Sequence, residues 1–133
     1  MKLLIIILLL CVPLKLLAPV NKAFYIGVLK PVNPYEKLWD AVKALESSNN
    51  PFAINYLEGA FGISQIRQIK LDWYFNQTGK RYILVDCFDV EVSREIFMYH
   101  CCQYPDLESS AKAWNGSGPL TIIYWGKIKK HII

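Results

Sequence analysis

Residues Leu3 to Val12 are almost wholly Leu and Ile and follow a lone Lys2. A positive charge followed by a short apolar run is the order of a secretory signal, so residues 1–23 are expected to lie outside the fold, as a signal peptide or a membrane anchor. Cleavage after Ala18, or after Ala23 in Asn-Lys-Ala, would release the remainder, although neither site has the usual small residue three positions earlier. A full membrane span is disfavoured, because Pro13 and Lys15 interrupt the run and about 20 apolar residues are needed to cross a bilayer. Cys11 follows Leu10 rather than a small residue, which disfavours a lipid-modified cysteine.

The 133 residues fit one domain, and the 53% hydrophobic share is weighted toward the leader. So is the charge. From Phe24 onward there are 12 Lys and Arg against 11 Asp and Glu, a net of one positive charge, which argues against a nucleic-acid partner. The one basic cluster, Lys127, Lys129 and Lys130 with His131, reads as a solvated helix end. Beyond Cys11 there are Cys87, Cys101 and Cys102. Adjacent cysteines rarely pair, so these allow one bridge from Cys87 to either neighbour, or simply small buried and half-buried side chains. No metal-ligand spacing appears, and no cofactor is implied.

Residues 24–34 read as a linker, with Gly27, Pro31 and Pro34. Asn33 can then cap a helix with Pro34 at its first position and Glu36 at its third, a capping-box variant. Leu38, Ala41, Val42 and Leu45 give that helix an apolar stripe, and Ser47-Ser48-Asn49-Asn50-Pro51 should stop it, leaving Glu46 in its last turn. Ile63, Ile66 and Ile69 predict a second helix from about Gly62 to Tyr74, ended at Thr78-Gly79-Lys80. Tyr82 to Val85 is the one strand candidate. Asp86 is expected to cap a helix with Phe88, Val92, Ile96 and Tyr99 on one face, ended by Pro105. Leu107, Ala111 and Trp114 mark another helix, and Ile122 to Ile132 a last one. The architecture is mainly α.

A carboxylate in the last turn of a helix faces the negative end of the helix dipole, which disfavours its charged form and raises its pKa. Burial beside Leu45 and Phe61 would act in the same direction. An acid still protonated near neutral pH is what protonation of a glycosidic oxygen requires.

Four stretches place this Glu in a family context. Ala44-Leu45-Glu46-Ser47, then Gly59-Ala60-Phe61-Gly62-Ile63-Ser64-Gln65-Ile66, then Ala113-Trp114-Asn115-Gly116 and Tyr124-Trp125-Gly126-Lys127-Ile128 occur in order over residues 35–130. Together they resemble the motifs of the soluble lytic transglycosylases, of lysozyme-like fold. The resemblance implies a catalytic domain over residues 35–133 acting as a monomer on peptidoglycan glycan strands in the cell envelope, secreted, periplasmic or membrane-anchored.

Carried over residue by residue, it makes Glu46 the general acid and then the general base. Ser47 would bond near Glu46 or the substrate, and Gln65 would line the cleft beside the backbone of Gly62 to Ser64. Asn115 would position sugar, Trp114 would offer an aromatic face where the family has Tyr, and Tyr124 would lie near Glu46. Ser64 would sit near the groove, and the small residues Gly59, Ala60 and Gly62 would let the chain pass close to substrate and to the catalytic helix. The groove after Asn115 is expected to be short. A hydrolytic lysozyme would need a second carboxylate, for which Glu58 and Asp72 are the candidates. A non-catalytic glycan-binding envelope module is the alternative from another class. Expressed in a bacterium, the protein is expected in the envelope fraction by cell fractionation; full-length soluble protein in the cytoplasm would count against the leader.

Overall fold

The structure is a computed structural model and describes residues 33–133, so the leader and most of the linker fall outside the described residues. The described residues form five α-helices and a small antiparallel sheet: α1 Tyr35–Ser47, β1 Ile54–Asn55, β2 Ala60–Phe61, β3 Ile66–Arg67, α2 Gln68–Thr78, a 3-10 turn Leu84–Phe88, α3 Val90–Cys101, α4 Leu107–Asn115 and α5 Leu120–Ile132. The described chain is mainly α, as its helical stripes require. Among the described residues no helix is long and apolar enough to cross a membrane.

The first helix starts where its cap residues dictate, with Asn33 Oδ1 accepting the Tyr35 N–H at 3.0 Å. Glu36 does not close a capping box, because its carboxylate instead pairs with the Arg94 guanidinium and ties α1 to α3. Leu38, Trp39, Ala41 and Val42 are buried, in a core shared with Ile96, Phe97, Ala111, Trp114 and Ile128. Trp39, Phe97 and Trp114 form its aromatic chain, with ring centroids 5.1 and 4.9 Å apart. Removing Phe97 from such a site costs about 3–5 kcal/mol in comparable cores.

Three sequence expectations are corrected. The helix expected from Gly62 begins only at Gln68: Ile63 sits in a turn, Ile66 in β3, and Ile69 points outward at 72% exposure. The three-residue spacing mimicked a helix because turn, strand and helix each contributed one isoleucine. Tyr82 to Val85 is not a strand but leads into the 3-10 turn, and the strands are β1, β2 and β3, paired Ile54 to Phe61 and Phe61 to Ile66. Asp86 caps the 3-10 turn through the Ile83 N–H, whereas the cap of α3 is Asp89, which accepts from the Glu91 N–H at 2.8 Å. The buried face of α3 follows from that later start: Ser93, Ile96, Phe97, His100 and Cys101.

Cys87, Cys101 and Cys102 are all free thiols; the first two are buried and the third is exposed. Ser64 is also a correction, since it lies fully buried with its hydroxyl unpartnered rather than near a groove. Gly62 has φ +79°, and a Cβ built on it would lie 2.0 Å from the Cys87 carbonyl oxygen. Its smallness therefore serves the packing of the sheet's second turn on the 3-10 turn, not an approach to substrate or to α1. Gly62→Ala combines a forbidden contact with an unfavourable φ, so a loss on the order of 3 kcal/mol or more is expected in urea unfolding. A wild-type midpoint for Gly62→Ala would show that the two turns are not pressed together.

Candidate functional site

The last turn of α1 carries Glu46, and the chain leaves that helix through two left-handed residues, Ser48 at φ 53° and Asn49 at φ 63°. No basic side chain lies in this turn to neutralise the dipole. Ser47 Oγ donates to the Ile63 carbonyl at 2.8 Å, which fastens the end of α1 to the turn between β2 and β3. The hydroxyl thus braces the backbone behind Glu46 and does not line the cleft. In that turn Gln65 adopts φ 54°, and its Nε2 donates to the Gly62 carbonyl at 2.9 Å and the Ala53 carbonyl at 3.3 Å.

Glu46 opens into a cleft of about 680 Å³, which Gln65, Trp114 and Asn115 also line. Tyr124 reaches the same carboxyl from α5, its Oη donating to Glu46 Oε1 at 2.7 Å across 78 residues of sequence. Burial raises the Glu46 pKa above its ordinary value. The Tyr124 hydrogen bond pulls the other way, the Glu58 charge pushes up again, and Arg67 and Lys70 pull down. Burial dominates, because removing a carboxylate from water outweighs one neutral donor. Burial also raises the Tyr124 pKa, so its hydroxyl stays a donor.

Trp114 is only 3% exposed, in T-shaped contact with the Phe97 and His100 rings and with the Lys70 ammonium 4.6 Å above its ring. Its ring holds Lys70 in place and is not an open face for a sugar. Asn115 ends α4 at the cleft, its backbone carbonyl accepting from Arg67 Nη2 at 3.1 Å. Of the two candidate second carboxylates, Glu58 lines the cleft, exposed, while Asp72 lies on the outer face of α2 and accepts from Gln68.

No family model, no curated protein and no solved structure matches the chain.

The cleft also contains side chains that no motif singled out: Arg67, Lys70, Trp73, His100 and Tyr104. Arg67 directly follows the motif that ends at Ile66 and Lys70 comes three residues later, in a mixed segment with Gln68 and Asp72 where a charge carries no signal of its own. His100 had none, because its place depends on how α3 packs. Burial, and then the Lys70 charge, push its pKa down to about 3, so it is neutral at any physiological pH.

Among the described residues no group of His, Cys, Asp and Glu could hold a metal ion. What the cleft offers is a proton donor and acceptor in one carboxyl group, steadied by a phenol. The raised Glu46 pKa has a stability consequence of definite sign. A folded-state pKa above the unfolded value, ordinarily 4.5, means that stability is full below that value and is lost as pH rises through the folded pKa. Glu46→Gln should therefore match or exceed the parent in thermal melting near neutral pH, with the difference shrinking below the ordinary carboxylate range. A variant that lost stability only near neutral pH would mean that the charged form is favoured by the fold.

Proposed function

We propose that the chain is a peptidoglycan lytic transglycosylase with a lysozyme-like domain, cleaving the β-1,4 bond between N-acetylmuramic acid and N-acetylglucosamine. The observation that carries this is the Glu46–Tyr124 hydrogen bond in the cleft, which joins the first and last of the four motifs at one carboxyl group.

In this mechanism the protonated Glu46 carboxyl gives its proton to the glycosidic oxygen as the bond to the muramoyl C1 breaks. Positive charge develops at C1, and the carboxylate left behind faces it across the cleft. Tyr124 donates to that carboxylate and keeps it oriented. Glu46 then takes the proton of the muramoyl 6-hydroxyl as that oxygen attacks C1, which closes a 1,6-anhydro ring and restores the acid. No water is consumed and no second carboxylate is needed, which suits a cleft whose other acid, Glu58, is exposed. Gln65, clamped to two carbonyls, and Asn115 at the end of α4 border the bound sugar, and Ser47 acts behind the site by bracing the turn. The enzyme works in the cell envelope as a monomer, released from its leader or held by it, without metal or cofactor.

Glu58 gives one specific ground for a second reading. A hydrolytic lysozyme places its second carboxylate about 5–9.5 Å from the acid, and Glu58 lines the same cleft as Glu46. Mass spectrometry of muropeptides released from purified walls separates the readings. Anhydro ends are expected; hydrated reducing ends would assign Glu58 the nucleophile or base role, and no release would leave a glycan-binding module. Glu46→Gln keeps shape and hydrogen-bonding reach but carries no transferable proton, so cleavage should fall by a factor on the order of 10² or more at unchanged circular dichroism. Glu58→Gln and Asp72→Asn should change it by less than about tenfold.

A further inference from the structure

Arg67 and Lys70 enter the cleft from the start of α2, Arg67 at its N-cap and Lys70 in its first turn. Both are half-buried, and neither belongs to an ion pair among the described residues, where the salt bridges engage Lys43, Lys80, Arg94 and Lys112. Each instead donates to a carbonyl at the end of α4, Arg67 to Asn115 and Lys70 to Ala113, the latter at 3.3 Å. These bonds aim two cations into one cavity without supplying a counter-charge.

Two neighbouring half-buried cations oppose one another, and the fold shows the cost. The Lys70 pKa is lowered to about 8, by burial first and then by Arg67, and the opposing pull of Glu46 does not restore it. Once Glu46 is protonated, the cations face only the exposed Glu58. The cavity is then net positive, with the aromatic side chains of Trp73 and Tyr104 along its wall. A second feature lies at the same wall: His100 is 5% exposed and its Nε2 has no hydrogen-bond partner. Buried polar atoms are rarely left unpaired, and this one lies behind the wall, packed among the Trp73, Tyr104 and Trp114 rings.

We propose that Arg67 and Lys70, with the His100 imidazole behind them, form a carboxylate-binding subsite that reads an acidic group carried by the muramoyl unit. This rests on the glycan reading given under Proposed function. The carboxylate has two sources with one chemistry: the lactyl group of a muramoyl residue stripped of its peptide, or an acidic residue of the stem where the lactyl group is an amide. Arg67 supplies a planar pair of donors, Lys70 a point charge whose position the Trp114 ring fixes.

The test uses the purified full chain and three probes in NMR titration: N-acetylglucosamine, N-acetylmuramic acid, which adds only the lactyl ether, and N-acetylmuramoyl-L-alanyl-D-isoglutamine. N-acetylmuramic acid is expected to bind roughly tenfold more tightly than N-acetylglucosamine, the usual worth of one charge-assisted hydrogen bond, with the margin shrinking as salt rises. A margin held only by the muramoyl dipeptide supports the subsite with the stem as source. Equal binding of all three by the wild-type protein overturns the proposal, and needs no variant to fold. Lys70→Met keeps the apolar stem over Trp114 and should erase the margin, whereas Lys127→Met on the exposed face of α5 should not. A margin that survives both Arg67→Met and Lys70→Met, with native circular dichroism, also overturns the proposal. The two readings fail separately. Equal binding with anhydro products removes only the subsite, and a carboxylate margin without glycan cleavage removes only the transglycosylase.

Discussion

The turn between β2 and β3 can take its position only because Gly62 brings no side chain against the Cys87 carbonyl. That same carbonyl accepts from the buried Ser93 hydroxyl at 2.7 Å, so α3, the 3-10 turn and the sheet meet at one oxygen. From this point the site is laid out by short links. Ile63, next to Gly62, receives the Ser47 hydroxyl and fixes the end of α1; Gln65 folds back on the Gly62 carbonyl; and β3 delivers Arg67 and the start of α2. A cleft whose walls come from α1, α2, α3, α4 and the sheet is thus registered by a contact that lies outside it.

The electrostatics of the cleft follow from the same arrangement. Glu46 ends a helix with no nearby cation in its own turn, and α5 offers it a neutral donor rather than a charge. Arg67 and Lys70 stand close enough to oppose its protonation, yet both are drawn toward the carbonyls that end α4. Their positive charge caps the negative end of that helix while still projecting into the cavity. Acid and cations therefore coexist without neutralising one another, a separation maintained by backbone hydrogen bonds and not by distance alone.

How much of this was legible in the sequence depended on the range of the interaction that decided each element. Helix α1, with its Asn33 cap and its Ser-rich stop, is governed by neighbouring residues and was read nearly to the residue, as was the end of α4 at Asn115, whereas α2 runs past the expected Tyr74 to Thr78, where Gly79 stops it. The two-residue strands were not legible, because alternation needs more than two positions to show, and the isoleucines across them happened to repeat at helical spacing. Within the site, Glu46, Gln65, Asn115 and Tyr124 were named from motifs. Lys70 and His100 were not, since their significance comes from a shared cavity between helices that no local pattern records. Trp114 lines the cleft, but Lys70 covers its ring, a contact that the motif alone does not record.

The burial of the thiols sets how the folded domain responds to an oxidant. Burial pushes Cys87 and Cys101 up to about 12 each, and neighbouring Asp86 and Cys102 push further in the same direction. At neutral pH both therefore stay protonated thiols, and at 0% exposure neither sulfur is open to an external oxidant. Among the described residues the packing is complete with no covalent cross-link, so the fold does not depend on oxidation. Among the described residues Cys102 is the thiol that solvent reaches, set apart from the two that the core encloses.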